Sequence, residues 1–222
     1  MSCRAVIFDL DGVLTDTAIY HFYAWKALAD ELGIAFTEHD NEQLKGVDRL
    51  GSLRWILQQG NQTLSAAEEA RLMQQKNTHY LELIDHITPD NLYPGVAALF
   101  ADLKQHGIKI GLASASKNAA FVVQRLGIAA QFDYIADANN VVNSKPDPEV
   151  FLLAAKGLGV PPEHCIGVED ALAGIEAINR AGMKAIGIGD ARVLSGALMV
   201  YPTVQAITVI NIQRHCLEEQ GK

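Results

Sequence analysis

The sequence predicts an α/β protein: a doubly wound parallel sheet carrying an inserted, all-helical cap. Three observations lead there. Val6-Ile7-Phe8-Asp9-Leu10-Asp11-Gly12 is an apolar strand-forming run that ends in two aspartates one residue apart and then a glycine. From about residue 93 onward, short apolar runs alternate with helical patterns, as in a parallel sheet covered on both faces. Between them, residues 16–86 show apolar positions at helical spacing and no strand signal.

Composition narrows the function classes. A chain of 222 residues permits one large domain or two small ones. Hydrophobic residues make up 49% and charged residues 20%, which fits a packed globular protein. A net charge of −8 repels nucleic acid, so any polyanion site must be a local basic pocket. Cys3, Cys165 and Cys216 are odd in number, far apart and without metal-ligand pairing, so a reducing, cytoplasmic setting is expected. Asp9 interrupts the short N-terminal apolar run, which therefore lacks a signal-peptide pattern. No uncharged apolar stretch approaches the ~20 residues of a membrane span.

Taken in order, residues 4–9 read as a central strand, apolar on both faces. Asp16 or Thr17 can cap a helix in which Phe22, Trp25, Leu28, Ala29 and Leu32 recur, and Gly33 stands where helices stop. Residues 39–44 and 50–59 read as helices separated by Lys45-Gly46-Val47-Asp48-Arg49. Ser65-Ala66-Ala67-Glu68 is a capping box that opens a long helix through Leu72, Asn77, Leu81 and Ile84. After Tyr93-Pro94-Gly95 come a helix over 96–105, a strand over 108–113, a helix over 118–126 and a short strand over 134–136. A helix over 149–158, a strand over 164–168, a helix over 173–181 and a strand over 184–188 follow. A short strand near 198–200 and a helix after Val209 complete the reading. Residues 1–15 and 88–222 are thus expected to form the α/β core and 16–87 the helical cap. The crossings near 15–17 and 87–93 form a natural hinge pair.

Four polar groups fall at strand ends or helix starts: Asp9 and Asp11, Ser114-Ala115-Ser116, Lys145, and Glu169-Asp170. Each has an ordinary use alone. The aspartates could belong to a turn, a serine could cap a helix, Lys145 could lie on the surface, and the acidic pair could favour a helix start. Together, on the edge where open α/β sheets bind ligands, they describe metal-dependent phosphoryl transfer. Carboxylates suit Mg²⁺, a hard cation, while lysine, serine and backbone N–H groups suit phosphate. Residues Asp9 and Asp11 share a direction on extended chain and can face one small space.

FDLDGVLTDT, LASAS, SKPDP and GVEDALAGI resemble the four motifs of the haloacid-dehalogenase (HAD) superfamily of phosphotransferases, in that family's order and over essentially the whole chain. The cap segments HFYAWKALADELGI and NEQLKGVDR, QKN at 75–77 and YPG at 93–95 are similar to the superfamily's sugar-phosphate mutases, which carry a small helical cap. Asp48, Leu50 and Gly51 stand at positions expected to vary.

The resemblance implies a HAD-like, Rossmannoid core and a role for each matched residue. Asp9 would be the nucleophile and become an aspartyl phosphate, and Asp11 the general acid and base. One Mg²⁺ would be held by Asp9, the Asp11 backbone carbonyl, Glu169 and Asp170. Ser114, the Ala115 backbone and Lys145 would hold the transferring phosphate, and Arg49, Ser116, Lys117 and Asn118 the distal one. Thr17, His21, Lys45, Gly46, Ser52 and Lys76 would orient the sugar and close the lid. The implied reaction is an isomerisation of β-glucose 1-phosphate and glucose 6-phosphate through β-glucose 1,6-bisphosphate, in a cytoplasmic monomer with no nucleic-acid or membrane partner. Without the resemblance, His21 reads as a core histidine and Lys76 as a solvated one. A sugar-phosphate phosphatase on the same scaffold is the rival reading, and a non-catalytic phosphosugar-binding protein a more distant one. Lys45, Arg49 and Lys76 favour the mutase.

Overall fold

In the computed structural model, which describes residues 3–217, the first element is a strand at the heart of the protein. This strand, β1 (Ala5–Phe8), is buried along its whole length. Its alternation divides the core: Val6 and Phe8 face one apolar cluster, Ala5 and Ile7 the other. Four helices follow before the chain returns to the sheet: α1 (Ala18–Glu31), α2 (Glu38–Glu42), α3 (Arg49–Gln59) and α4 (Ala66–Ile84). They enclose an apolar cluster of their own, with Trp25, Leu28, Leu53, Ile56 and Leu72 at its centre.

The remainder alternates: α5 (Val96–Gln105), β2 (Lys109–Leu112), α6 (Ala119–Arg125), β3 (Tyr134–Ile135), α7 (Glu149–Leu158), β4 (Cys165–Glu169), α8 (Leu172–Arg180), β5 (Lys184–Ile188), β6 (Met199–Tyr201) and α9 (Val209–Leu217). The six strands form one parallel sheet in the order β3-β2-β1-β4-β5-β6. Residues of α5, α6 and α9 pack with Phe8 on one face, and those of α7 and α8 with Ile7 on the other. This is the doubly wound α/β fold that the alternation predicts. The order reverses at β1, whose neighbours are β2 and β4, so a crevice opens at the carboxyl end of β1.

The two chain crossings are tied together. Thr15 pairs with Leu92 in an antiparallel bridge, the Tyr93 N–H donates to the Leu14 carbonyl at 2.8 Å, and the Thr15 hydroxyl donates to the Asn91 carbonyl at 2.8 Å.

Several boundaries differ from the sequence reading for local reasons. Helix α2 begins at Glu38 because Thr37 and Asp40 form a capping box, with Asp40 where Glu or Gln is usual. Helix α3 takes in Arg49, which the sequence assigns to the preceding linker, because the Asp48 carboxylate caps it by accepting from the Gly51 N–H at 2.7 Å. Thr17 stands at the N-cap of α1 but makes no side-chain cap bond, since its hydroxyl donates to Asp11 instead. The Ser65–Glu68 capping box is present as read. Cys3, whose thiol donates to the Ala5 carbonyl at 3.3 Å, and Cys216, distant in sequence, share one core cluster. The C-terminal helix read after Val209 is α9, and residues 218–222 lie outside the described residues.

Candidate active site

Parallel register decides which side chains meet. Phe8 is level with Leu112 on one side and Val168 on the other. The Asp9 N–H extends the ladder to the Val168 carbonyl at 2.9 Å, and the Ala113 N–H to the Phe8 carbonyl at 2.8 Å. Asp9, Ser114 and Glu169 therefore leave the sheet at one edge.

Lys145 reaches that edge from the segment before α7. Its ammonium donates to Asp9 Oδ1 at 2.6 Å, Glu169 Oε2 at 2.7 Å and the Ala113 carbonyl at 3.2 Å. Its side chain is 1% exposed, so the lysine that the sequence allows as a surface residue is a buried counter-ion. Burial works against the ammonium, but Asp9 and Glu169 outweigh it and hold its pKa above the ordinary lysine value. The Glu169 carboxyl is raised as well, by burial and then by Asp9, which favours its neutral form.

Asp9, Glu169 and Asp170 each present a carboxylate oxygen within 4.8 Å of the other two, an acidic cluster able to hold a metal ion. Lys145 offsets only part of their charge. A hard divalent cation with oxygen preference fits this donor set. Gly12 makes room for the Asp170 carboxylate: φ is +80°, and a Cβ there would run into that carboxylate. The Asp170 carboxylate also meets Lys45 of the cap at 3.1 Å, a lysine that bonds Glu42 at 3.0 Å as well.

Asp11 accepts from Thr17, and its carboxyl is pushed up to about 8 by burial and by the negative charges of Asp9 and Asp170. Such a group holds its proton near neutral pH. Above it the cap supplies a histidine–lysine pair. Lys76 Nζ lies 2.8 Å from His21 Nδ1, and the His21 ring stacks on Tyr80 at 4.1 Å. The same ammonium lies 4.7 Å from the ring centres of both Trp25 and Tyr80. Lys76 is 3% exposed, because its face of α4 packs on α1, and the solvated lysine of the sequence reading is not what the structure shows. Burial, then Arg49, lower its pKa to about 7; burial, then Lys76, lower that of His21.

A cavity of about 90 Å³ separates cap from core. Asp9, Asp11, Glu169 and Asp170 line its floor, and Ala115, Ser116 and Lys117 one side. His21, Lys45, Gly46, Arg49, Ser52 and Lys76 come down from the cap. Thr17, Ser114, Lys145 and Asn118, also expected here, stand just behind the wall. Thr17 backs Asp11 and Lys145 backs Asp9, while buried Ser114 accepts from the Ser116 N–H at 3.1 Å. The sequence reading missed Trp25, Asn41 and Val47 as lining residues. Trp25 was absorbed into the apolar helix pattern, and nothing local marks Asn41 or Val47. It also gave no role to Asn77, which bonds Arg49 at 2.7 Å and Asn118 at 2.9 Å.

Arranged so, the site sets a buried carboxylate and its lysine beside a protonated carboxyl, with the basic Arg49 and Lys117 lining the same cavity, a chemistry suited to phosphate. Comparison with known proteins agrees. The haloacid dehalogenase-like hydrolase family matches residues 3–182. The chain is 46% identical over 208 residues to β-phosphoglucomutase of Bacillus subtilis (strain 168), covering 93% of this chain and 92% of that one. It is 33% identical over 187 residues to a phosphorylated carbohydrates phosphatase of Thermotoga maritima, covering 82% and 83%. Among solved structures, β-phosphoglucomutase of Clostridium difficile superposes with a TM-score of 0.95 at 48% identity, covering 97% and 98%. With sheet order, acidic cluster and family match in agreement, the chain belongs to the haloacid dehalogenase-like hydrolase family.

Proposed function

We propose that this protein is an isomerase with β-phosphoglucomutase activity, interconverting β-D-glucose 1-phosphate and D-glucose 6-phosphate through β-glucose 1,6-bisphosphate. The observation that carries the reading is that basic side chains serve one cavity at two places, each suited to a phosphate. Asp9 with Lys145 and the Ser114 loop forms one, and Arg49 with Lys117 forms the other. A phosphatase needs only the first. The B. subtilis and C. difficile similarities support the same choice.

Asp9 attacks the phosphorus while Lys145, held 2.6 Å away, balances the charge that gathers. Asp11 gives its proton to the departing sugar oxygen and takes one back in the reverse direction, oriented by the Thr17 hydroxyl. His21 and Lys76 contact the sugar hydroxyls from above, and the Lys45–Gly46 turn covers them. One Mg²⁺ would be held by Asp9, Glu169, Asp170 and the Asp11 carbonyl, supplying charge neutralisation at the transferring phosphate. Small sugar phosphates are the partners. None of the described helices is long and apolar enough to cross a membrane, and the net charge of −8 argues against nucleic acid. Three free cysteines suit a cytoplasmic setting, and a monomer is expected.

Incubation with α- and β-glucose 1-phosphate separately, with Mg²⁺ and a trace of bisphosphate, tests the reading. Glucose 6-phosphate should appear from the β anomer alone. Free glucose with inorganic phosphate would establish the phosphatase instead.

Two further outcomes are expected. The cap is expected to lift for a bisphosphate to enter and turn round, with the paired crossings at Thr15 and Leu92 as hinge, and to close on the bound ligand. A sugar phosphate together with a metal-fluoride phosphate mimic should therefore compact the protein in small-angle scattering, and an unchanged radius would count against a moving lid. Arg49 should separate the two ends of the cavity. Its planar fork binds phosphate oxygens in pairs and reads no sugar detail. Charged hydrogen bonds of this kind contribute roughly 1.5–3 kcal/mol, or about ten- to a hundred-fold. Arg49→Ala should lose that much mutase rate yet nearly spare phosphate transfer from acetyl phosphate, which has no distal phosphate, and Arg49→Lys should recover only part. Equal losses with both donors would remove Arg49 from the distal end.

A further inference from the structure

Asn77 lies on α4, in the cap, and is half-buried behind the cavity wall rather than on it. Its single carboxamide oxygen accepts two bonds, from Arg49 Nη2 at 2.7 Å and from Asn118 Nδ2 at 2.9 Å. The first donor opens α3 in the cap, and the second precedes α6 in the core. One oxygen thus joins three segments across the cleft between cap and core. It also holds two donors close enough together to reach oxygens of a single phosphate.

We propose that Asn77 is a positioning residue: it sets the spacing of Arg49 and Asn118 for the distal phosphate and links cap to core when that phosphate is engaged. This rests on the reading of Arg49 and Asn118 as distal-phosphate donors. The chemistry of the acceptor supports it. A guanidinium has five N–H donors, and the Asn77 oxygen uses one, so the others stay available. The Asn118 amide likewise keeps a second hydrogen. A neutral acceptor orients Arg49 without cancelling its charge, whereas a carboxylate in the same place would compete with phosphate for it. The long Arg49 side chain has many rotamers, and a fixed partner removes that freedom before the ligand arrives.

The test compares Asn77→Ala and Asn77→Asp in the full-length enzyme, with Mg²⁺, by steady-state kinetics on β-glucose 1-phosphate. Calorimetric titration with glucose 6-phosphate accompanies it. Asn77→Ala should raise KM by about ten-fold and change kcat far less, since it removes orientation and not chemistry. Asn77→Asp keeps the shape and both bonds but sets a negative charge beside the phosphate, so KM should rise at least as much. A purely structural role would leave this isosteric variant close to the parent. In the Arg49→Ala background, Asn77→Ala should cost clearly less than it does alone, because only Asn118 is left for it to orient. Full additivity in that background, or a parent-like KM for both variants, would overturn the proposal. If Asn77→Ala unfolds, the Asn77→Asp comparison decides alone. The titration needs no turnover, so a parent that binds glucose 6-phosphate but isomerises nothing would remove the mutase reading while Asn77 is still judged on affinity.

Discussion

Asp9→Asn is expected to abolish turnover, with no acid-stable phosphoryl-enzyme formed. The amide keeps the shape of the carboxylate but lacks the charge that attacks phosphorus. It also removes one of the three oxygens of the acidic cluster and one of the two carboxylates that hold Lys145. The buried ammonium would keep the Ala113 carbonyl but only one carboxylate, Glu169, so on the proposed reading nucleophile, metal site and phosphate counter-charge suffer together. Acid quench after addition of a phosphoryl donor, with a coupled assay for glucose 6-phosphate, reads the outcome directly. Turnover within a few-fold of the parent would sink the assignment of Asp9.

Asp11→Asn is the second large effect, a loss of ~10²–10⁴-fold in rate. An amide accepts the Thr17 hydroxyl as the carboxyl does, but it has no proton to give to the leaving oxygen. The environment is built for the protonated acid, because burial and the charges of Asp9 and Asp170 push this group up to about 8. The sign follows directly: a carboxyl whose pKa stands above neutral is mostly protonated at pH 7 and can act as an acid. Mg²⁺ affinity should survive, since the clustered side-chain oxygens come from Asp9, Glu169 and Asp170. Calorimetric titration with Mg²⁺ and single-turnover kinetics separate the two properties. Collapsed metal affinity with normal chemistry at saturating metal would make Asp11 a side-chain ligand rather than the proton donor.

These two residues were legible because they sit where a local pattern ends. An apolar strand closing on Asp-x-Asp-Gly needs no tertiary knowledge to be noticed, and its register with β2 and β4 then brings Ser114 and Glu169 alongside. The helix over Glu149–Leu158 and the strand over Lys184–Ile188 were legible for a similar reason, as apolar periodicity and punctuation lie within the segment itself. The residues above the cavity were harder. Lys76 sits on a helix rich in charge and looks solvated, and only the packing of α4 on α1 removes it from water. Thr17 looks like a cap, and only the return of the chain past Asp11 shows that its hydroxyl is committed elsewhere.

By itself the sequence determined the parallel α/β core, the helical insertion after the first strand, and the order of the carboxylates, serines and lysine along the sheet edge. The first two follow from periodicity and punctuation within each segment, and the polar groups stand out because each falls where a strand ends or a helix starts. The tertiary structure alone decided that Lys145 is shared between Asp9 and Glu169, that Lys76 leans on His21, Trp25 and Tyr80, and that Asn77 joins Arg49 to Asn118. These contacts join residues far apart in the chain. Burial and charge pairing depend on which faces meet, and no local pattern of side chains encodes that meeting.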